Sequence, residues 1–197
     1  MIPALMFRTV PADTSHEVES FWARFGEQNP TWEQVTYRDP IDPADFPLTS
    51  PAWSMCGSGA QYAGLIRLEA LLAHGGVYLD SDCEPFRPLE PLRSCSAFAG
   101  WEDAATVPDA VLGAEPNHPA IAECLTRALQ SVRRGDGAWL SGPGVTTAVL
   151  PDRPDVLLLP PGSLYPYHYT ERHRRRDDHR TANPWAFMAH HWAHSWA

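Results

Sequence analysis

The sequence predicts an α/β domain, and three observations carry that reading. Apolar, partly β-branched runs alternate with stretches whose apolar residues recur at helical spacing. Residues 58–73 read as a helix and lead through Gly75-Gly76 straight into the apolar run Val77-Tyr78-Leu79. At 197 residues and 44% hydrophobic, the chain has enough apolar material for one core, so a single domain spanning 1–197 is expected.

The elements follow in order. Residues 4–10 form a first buried strand between Pro3 and Pro11. Residues 15–30 form a helix that Ser15 can cap, with Val18, Phe21, Trp22 and Phe25 on one face. Residues 32–39 alternate as a second strand, and the proline-rich stretch 40–57 reads as loop. In the helix over 58–73, Tyr62, Leu65, Ile66, Leu68 and Leu72 cover one broad face. The opposite face is small (Ala60, Ala63, Gly64, Ala70) and holds Arg67, so this helix is expected to be covered on both sides. Gly75-Gly76 ends it, glycine tolerating the left-handed conformation of a C-cap. Strands are expected at 77–79, 96–100 and, buried, at 155–160. Residues 117–132 read as a helix with Asn117 as cap, and 141–150 as a glycine-proline turn entering a short helix. An irregular Arg/His-rich segment, 161–197, follows and is expected to close over the site.

A net charge of −9 argues against non-specific nucleic-acid binding by the whole surface. Cys56, Cys83, Cys95 and Cys124 form no CxxC, so neither a zinc site nor a disulfide framework is signalled. With no apolar run of membrane-spanning length and no basic-apolar leader, a cytoplasmic protein is expected.

The chemistry concentrates in "GGVYLDSDCEP", residues 75–85, where an apolar strand runs into Asp80 and Asp82. In an extended chain Tyr78, Asp80 and Asp82 project to one side, the two carboxylates about 6–7 Å apart at Cβ. Two like charges so placed call for a cation, and few, oxygen-rich protein ligands suit Mg²⁺ or Mn²⁺ shared with a phosphate. Arg67, on its packed helix face, needs an anion nearby. That anion is either an internal partner, Glu69 or one of the aspartates, or a bound ligand.

The run "QYAGLIRLEALLAHGGVYLDSD" resembles the core of the family 32 glycosyltransferases, which carry a DXD sugar-binding region. The opening "MIP", "SGPGV" at 141–145 and the terminal "HHWAHSW" extend the resemblance through most of the chain. It implies a GT-A fold, a Rossmann-like three-layer α/β/α architecture with a mixed sheet. It also implies a UDP- or GDP-sugar donor, a Mn²⁺ or Mg²⁺ ion and retention of anomeric configuration. Carried residue by residue, it gives Arg67, Asp80 and Asp82 catalytic roles. Tyr78, Ser81 and Trp196 become donor contacts beside Arg67 and Asp80. Asp82 becomes the principal metal ligand, with Asp80 and His190 beside it and His191 or His194 as alternatives to His190.

The chain departs from the family where an aspartate usually stands three residues before the arginine and Gly64 stands here, which bears on donor-sugar identity. The histidine and tryptophan that often follow the first strand are missing, so Phe7 and Thr9 are expected to help hold the base. Trp101, Glu102 and Asp103, with Gly142 and Gly144, are expected to line the sugar or acceptor pocket; the alternatives are a solvated acidic loop and a plain helix-start turn. The arginine run Arg172–Arg180 reads either as a mobile solvated loop or as a phosphate-binding arm for a lipid or nucleic-acid acceptor, beside a glycan acceptor elsewhere. Two other functions fit less of the chain: a non-catalytic nucleotide-sugar-binding module, and a DxD phosphohydrolase, which Glu84 two residues after Asp82 disfavours.

Overall fold

The computed structural model describes residues 1–193, which form two sheets and six α-helices. The larger sheet contains β1 (Leu5–Val10), β2 (Glu33–Arg38), β3 (Gly76–Leu79), β5 (Ala97–Gly100), β6 (Val111–Ala114) and β7 (Val156–Leu159). Its order is β2-β1-β3-β6-β5-β7, while β4 (Cys83–Pro85) and β8 (Met188–His190) pair as a separate ribbon. β1 is parallel to β2 and β3, β5 is parallel to β7, and β6 runs antiparallel to both β3 and β5. The sheet is therefore mixed.

The helices are α1 (His16–Gln28), α2 (Gly59–His74), α3 (Pro119–Arg134), α4 (Ala138–Ser141), α5 (Pro143–Val149) and α6 (His179–Ala182). Strand alternation divides the apolar residues between two cores, one on each face of the sheet. Phe7, Tyr78 and Leu112 meet Leu65 and Ile66 of α2, Ile121 and Leu125 of α3 and Val145 of α5. On the other face Met6, Val77, Leu79, Phe98 and Val111 meet Phe25 of α1, together with Leu89, Tyr165 and Met188. Helices above and helix plus long loops below make three layers. Ser58 caps α2 by accepting from the Gln61 N–H, and residues 63–71 of that helix are all buried, as its two apolar faces require.

Gly75 and Gly76 take φ of +64° and +98°. A Cβ would meet Pro116 Cδ at 2.7 Å from Gly75 and the Leu5 carbonyl oxygen at 2.6 Å from Gly76. Both backbone shape and crowding thus require glycine, but Gly75 has ψ of −161°, outside the helical left-handed well, and feeds the chain directly into β3.

Three expectations are corrected. The cap of α3 is His118, whose Nδ1 accepts from the Ala120 N–H, while Asn117 adopts φ of +59° and donates its N–H to Leu72 O. β7 is an edge strand with Leu157 45% exposed, so its run of leucines is not a fully buried strand. The Arg/His-rich segment, expected to be irregular, also holds regular structure: a 3₁₀ segment, Tyr169–Arg176, followed by α6 and β8. β6 was not anticipated at all; four residues are too few to show periodicity.

One buried cation ties β1 to α1. Arg8, 2% exposed, donates to Glu19 at 2.5 Å and lies over the Trp22 ring at 4.8 Å. Glu19 also accepts from Arg38 at 2.9 Å and from Thr14. Burial opposes its ionisation, but Thr14, Arg8 and Arg38 outweigh that and lower its pKa to about 2. A depressed carboxylate pKa contributes stability above its unfolded value of 4.5, and that contribution is lost as pH falls through about 2. Glu19→Gln is expected to lower the melting temperature by a few degrees at pH 7. Its gap from wild type should close between pH 4.5 and about 2 in circular-dichroism melts across pH.

Candidate functional site

β3 delivers Tyr78 to the α2 side of the sheet, and Asp80 follows on that side. The strand stops at Leu79. The Cys83 N–H donates to Asp80 O at 3.0 Å, so Asp80-Ser81-Asp82 is a turn rather than the extended segment expected. This turn directs both carboxylates at one point instead of spacing them along a strand.

The ribbon supplies the third group. Cys83 stands opposite His190 in the β4–β8 register. His190 Nε2 lies 3.1 Å from Asp82 Oδ1 and 3.5 Å from Asp80 Oδ2, and one donor atom from each residue lies within 4.8 Å of the others. Asp82 is 4% exposed and His190 5%. Burial opposes charge on both. Asp82 and Asp80 nevertheless push His190 up to about 10, while His190 and the Ala193 N–H, donating to Asp82 Oδ2 at 2.7 Å, hold Asp82 well below the usual carboxylate range.

The donor set fits a divalent cation. Ligands around a small octahedral ion at about 2.1 Å stand about 3.0 Å apart at right angles, close to the two spacings of His190 Nε2 from the aspartates. Two hard carboxylate oxygens suit Mn²⁺ or Mg²⁺, the imidazole favours Mn²⁺ of the two and binds once the cation displaces its proton, and the remaining positions are left to phosphate oxygens and water.

Behind this cluster lies a network of packed, paired charges. Arg67, 4% exposed, donates from Nη2 to Asp80 Oδ1 at 2.6 Å, and its Nη1 lies 2.6 Å from Asp109 Oδ2. Its guanidinium sits 4.3 Å over the Tyr78 ring. Burial works against that charge, but Asp109 and Asp80 outweigh it and hold Arg67 firmly cationic. Tyr78 OH donates to Asp80 Oδ1 at 2.9 Å and shares a hydrogen bond with Thr9 Oγ1 at 2.8 Å. Glu69, the other partner expected for Arg67, instead accepts from the Leu48 and Thr49 N–H groups and the Thr49 hydroxyl.

Asp109 is the carboxylate that sequence reasoning missed. It stands just before β6, whose antiparallel pairing with β3 brings Ala110 O to the Asp80 N–H at 2.8 Å. Its Oδ2 lies 3.8 Å from where a Cβ on Gly64 would be and 2.9 Å from one on Gly142. Gly142, at the junction of α4 and α5, leaves the room this carboxylate occupies, while Gly64 faces it at ordinary contact distance. Burial raises its pKa, with Arg67 opposing. Gly64, Arg67, Asp80, Asp109, Gly142 and His190 share one cavity of about 280 Å³.

The other expected residues fall in different places. Phe7 and Thr9 are buried behind Tyr78, Phe7 edge-on to its ring, so neither reaches that cavity directly. Ser81 is buried in the turn. Trp101 packs against the core of the α2 side, Asp103 accepts from the Ala105 and Thr106 N–H groups, and Glu102 lines a second, neighbouring cavity. Gly144 leaves room for Trp139 O, 2.9 Å from where its Cβ would be. His191 points away from the aspartates, bonded to Tyr167 OH at 2.9 Å and Glu84 at 3.2 Å, which leaves His190 as the imidazole of the cluster. His194 and Trp196 lie outside the described residues. In the arginine run, Arg174 pairs with Glu171 and Asp177, and Arg175 with Glu17. Arg172 lines the second cavity, and Arg175, Arg176 and Arg180 line another of about 550 Å³.

Residues 21–99 match the family described as "Glycosyltransferase sugar-binding region containing DXD motif". An uncharacterized protein of Arabidopsis thaliana is 38% identical over 64 residues, 32% of this chain; the match spans about a tenth of that protein's length, 10%. Among solved structures, PaToxG glycosyltransferase superposes with a TM-score of 0.57 at 16% identity, covering 93% of this chain and 75% of its own. The ligand-free glycosyltransferase domain of the YGT toxin gives 0.61 at 9% identity and 80% of each chain. At such identities the structural likeness speaks to the fold, which is GT-A.

Proposed function

This chain carries the DXD-containing sugar-binding region of the glycosyltransferases on a GT-A fold, and from that premise we propose that it moves a sugar from a UDP- or GDP-sugar to an acceptor hydroxyl. The observation that carries the reading is the convergence of Asp80, Asp82 and His190 beside a cavity walled by Arg67 and Asp109. In this reading Asp80, Asp82 and His190 hold Mn²⁺ or Mg²⁺, which when bound stabilises negative charge on the departing diphosphate. Arg67 fixes Asp80 and Asp109 rather than reaching out alone, and Tyr78 fixes the Asp80 rotamer from below. Asp109 and Asp80 then accept hydroxyls of the donor sugar, Asp109 lying beside Gly64 on the cavity wall. This argues against decay of the site to a mere binding module. Asp80 Oδ1, engaged by Arg67 and Tyr78, is also poorly freed to act as a phosphohydrolase nucleophile.

Retention of configuration rests on the family resemblance and is read from the anomeric proton of the product. In this reading the chain is one domain whose segment from 161 closes over the site, and the β4–β8 pairing that sets His190 opposite Cys83 supports it. The four cysteines are unpaired in the structure. No helix among the described residues is long and apolar enough to cross a membrane.

The test is a panel of nucleotide sugars with and without Mn²⁺. One UDP- or GDP-sugar is expected to raise the melting temperature only when the metal is present and to be hydrolysed slowly in its presence; chelation should remove both effects. Turnover of simple phosphate esters in preference to nucleotide sugars would favour the phosphohydrolase, and binding without turnover the module.

A further inference from the structure

A second cavity, of about 710 Å³, adjoins the first and shares Pro108, Pro143, Trp139 and Trp192 with it. Its walls expose large aromatic rings: Trp139 on α4 is 52% exposed, and Tyr169, at the start of the 3₁₀ segment, 45%. Rings of this size left in water mark a contact surface when they line a cleft. Among them sits a carboxylate, Glu102, 7% exposed. Its Oε1 accepts from the Tyr169 N–H at 2.8 Å and lies 3.5 Å from His168 Nε2. Among the described residues no hydrogen bond is made to Oε2. Glu102 lines the cleft, and its Oε2, with no protein donor among the described residues, can accept from an occupant.

We propose that this groove seats the acceptor as a pyranose sugar, its C–H face packed on Trp139 and Tyr169 and a ring hydroxyl donated to Glu102. The proposal rests on the donor-site reading, because the groove's shared wall puts an occupant next to the donor cavity. Charge complementarity selects the class. A sugar offers an apolar face edged by hydroxyl donors, which matches aromatic rings around a carboxylate. A lipid diphosphate or a nucleic acid brings phosphates, for which the groove offers Arg172 at its rim and a buried carboxylate as a repulsive centre.

Two measurements test it. Saturation-transfer NMR with methyl α- and β-hexopyranosides and simple disaccharides, without donor or metal, should show saturable binding by at least one of them. Tyr169→Ala and Glu102→Gln should each weaken that binding about tenfold or more. Both should shift turnover of the donor at least tenfold from transfer toward hydrolysis. Tyr169 is exposed, so its removal does not unpack the core. No pyranoside binding by the wild type, or binding and partition unchanged in both variants, overturns the proposal, as does labelling of a phosphate-bearing acceptor in preference to every saccharide. If the wild type hydrolyses no nucleotide sugar, the donor reading fails, while the metal-free binding measurement still decides the groove.

Discussion

Asp82→Asn is expected to lower nucleotide-sugar turnover by at least about 10²-fold while leaving the fold intact, the scale seen when one charge-stabilising group is lost from an active site. Asparagine matches the aspartate in shape and keeps an oxygen for the Ala193 N–H, which donates to Asp82 at 2.7 Å. What it removes is the charge facing His190 at 3.1 Å. His190 can release its proton, so the change leaves no buried unpaired ion behind. A neutral amide is a poor ligand for a hard dication. The Mn²⁺-dependent thermal shift should vanish, and electron paramagnetic resonance should find the manganese free in solution. Wild-type turnover in this variant, or undiminished manganese binding, would remove the metal assignment.

The parts of this architecture that lie in long, periodic segments were legible in the sequence. α2 announces itself by two apolar faces and a glycine pair, and the structure buries it on both sides. The direction of Tyr78 and Asp80 followed from strand alternation, and Asp80 keeps it although the strand has ended. Legibility fails where pairing is short and distant. β4 and β8 are three residues each, too short to signal, yet their register alone brings His190 to the aspartates. Only the resemblance singled that histidine out. Asp109 had no motif at all: the antiparallel insertion of β6 between β3 and β5 carries it to Arg67, and single-sequence spacing does not encode that neighbour. A trace was present in retrospect. Gly64 faces it from a helix whose small side needed a reason, and an aspartate just before an apolar run is the mirror of Asp80 just after one.

Arg67→Ala is expected to cost about 3–5 kcal/mol of stability, the range for leaving buried charges without their partner. The reason is its position between two carboxylates. Arg67 holds Asp80 and Asp109 at 2.6 Å each and covers the Tyr78 ring. Its removal leaves Asp109 buried with no cation, so the melting temperature should fall by about 10 °C for a domain of this size. The loss should itself depend on pH. Burial raises the Asp109 pKa even with Arg67 present, and without Arg67 it rises further. An acid whose folded pKa exceeds its unfolded value is destabilising at high pH, and that cost disappears as pH falls through the folded pKa. The gap between variant and wild type should therefore narrow as pH falls below neutrality in thermal melts. Arg67→Lys should be milder, since one ammonium keeps the charge but cannot bridge both carboxylates as the guanidinium fork does. Donor affinity should fall with both substitutions, because Asp80 and Asp109 lose their fixed orientation. Loss of donor binding with a melting temperature within about 2 °C of wild type would show that Arg67 acts on the ligand directly and that the two carboxylates hold their places without it.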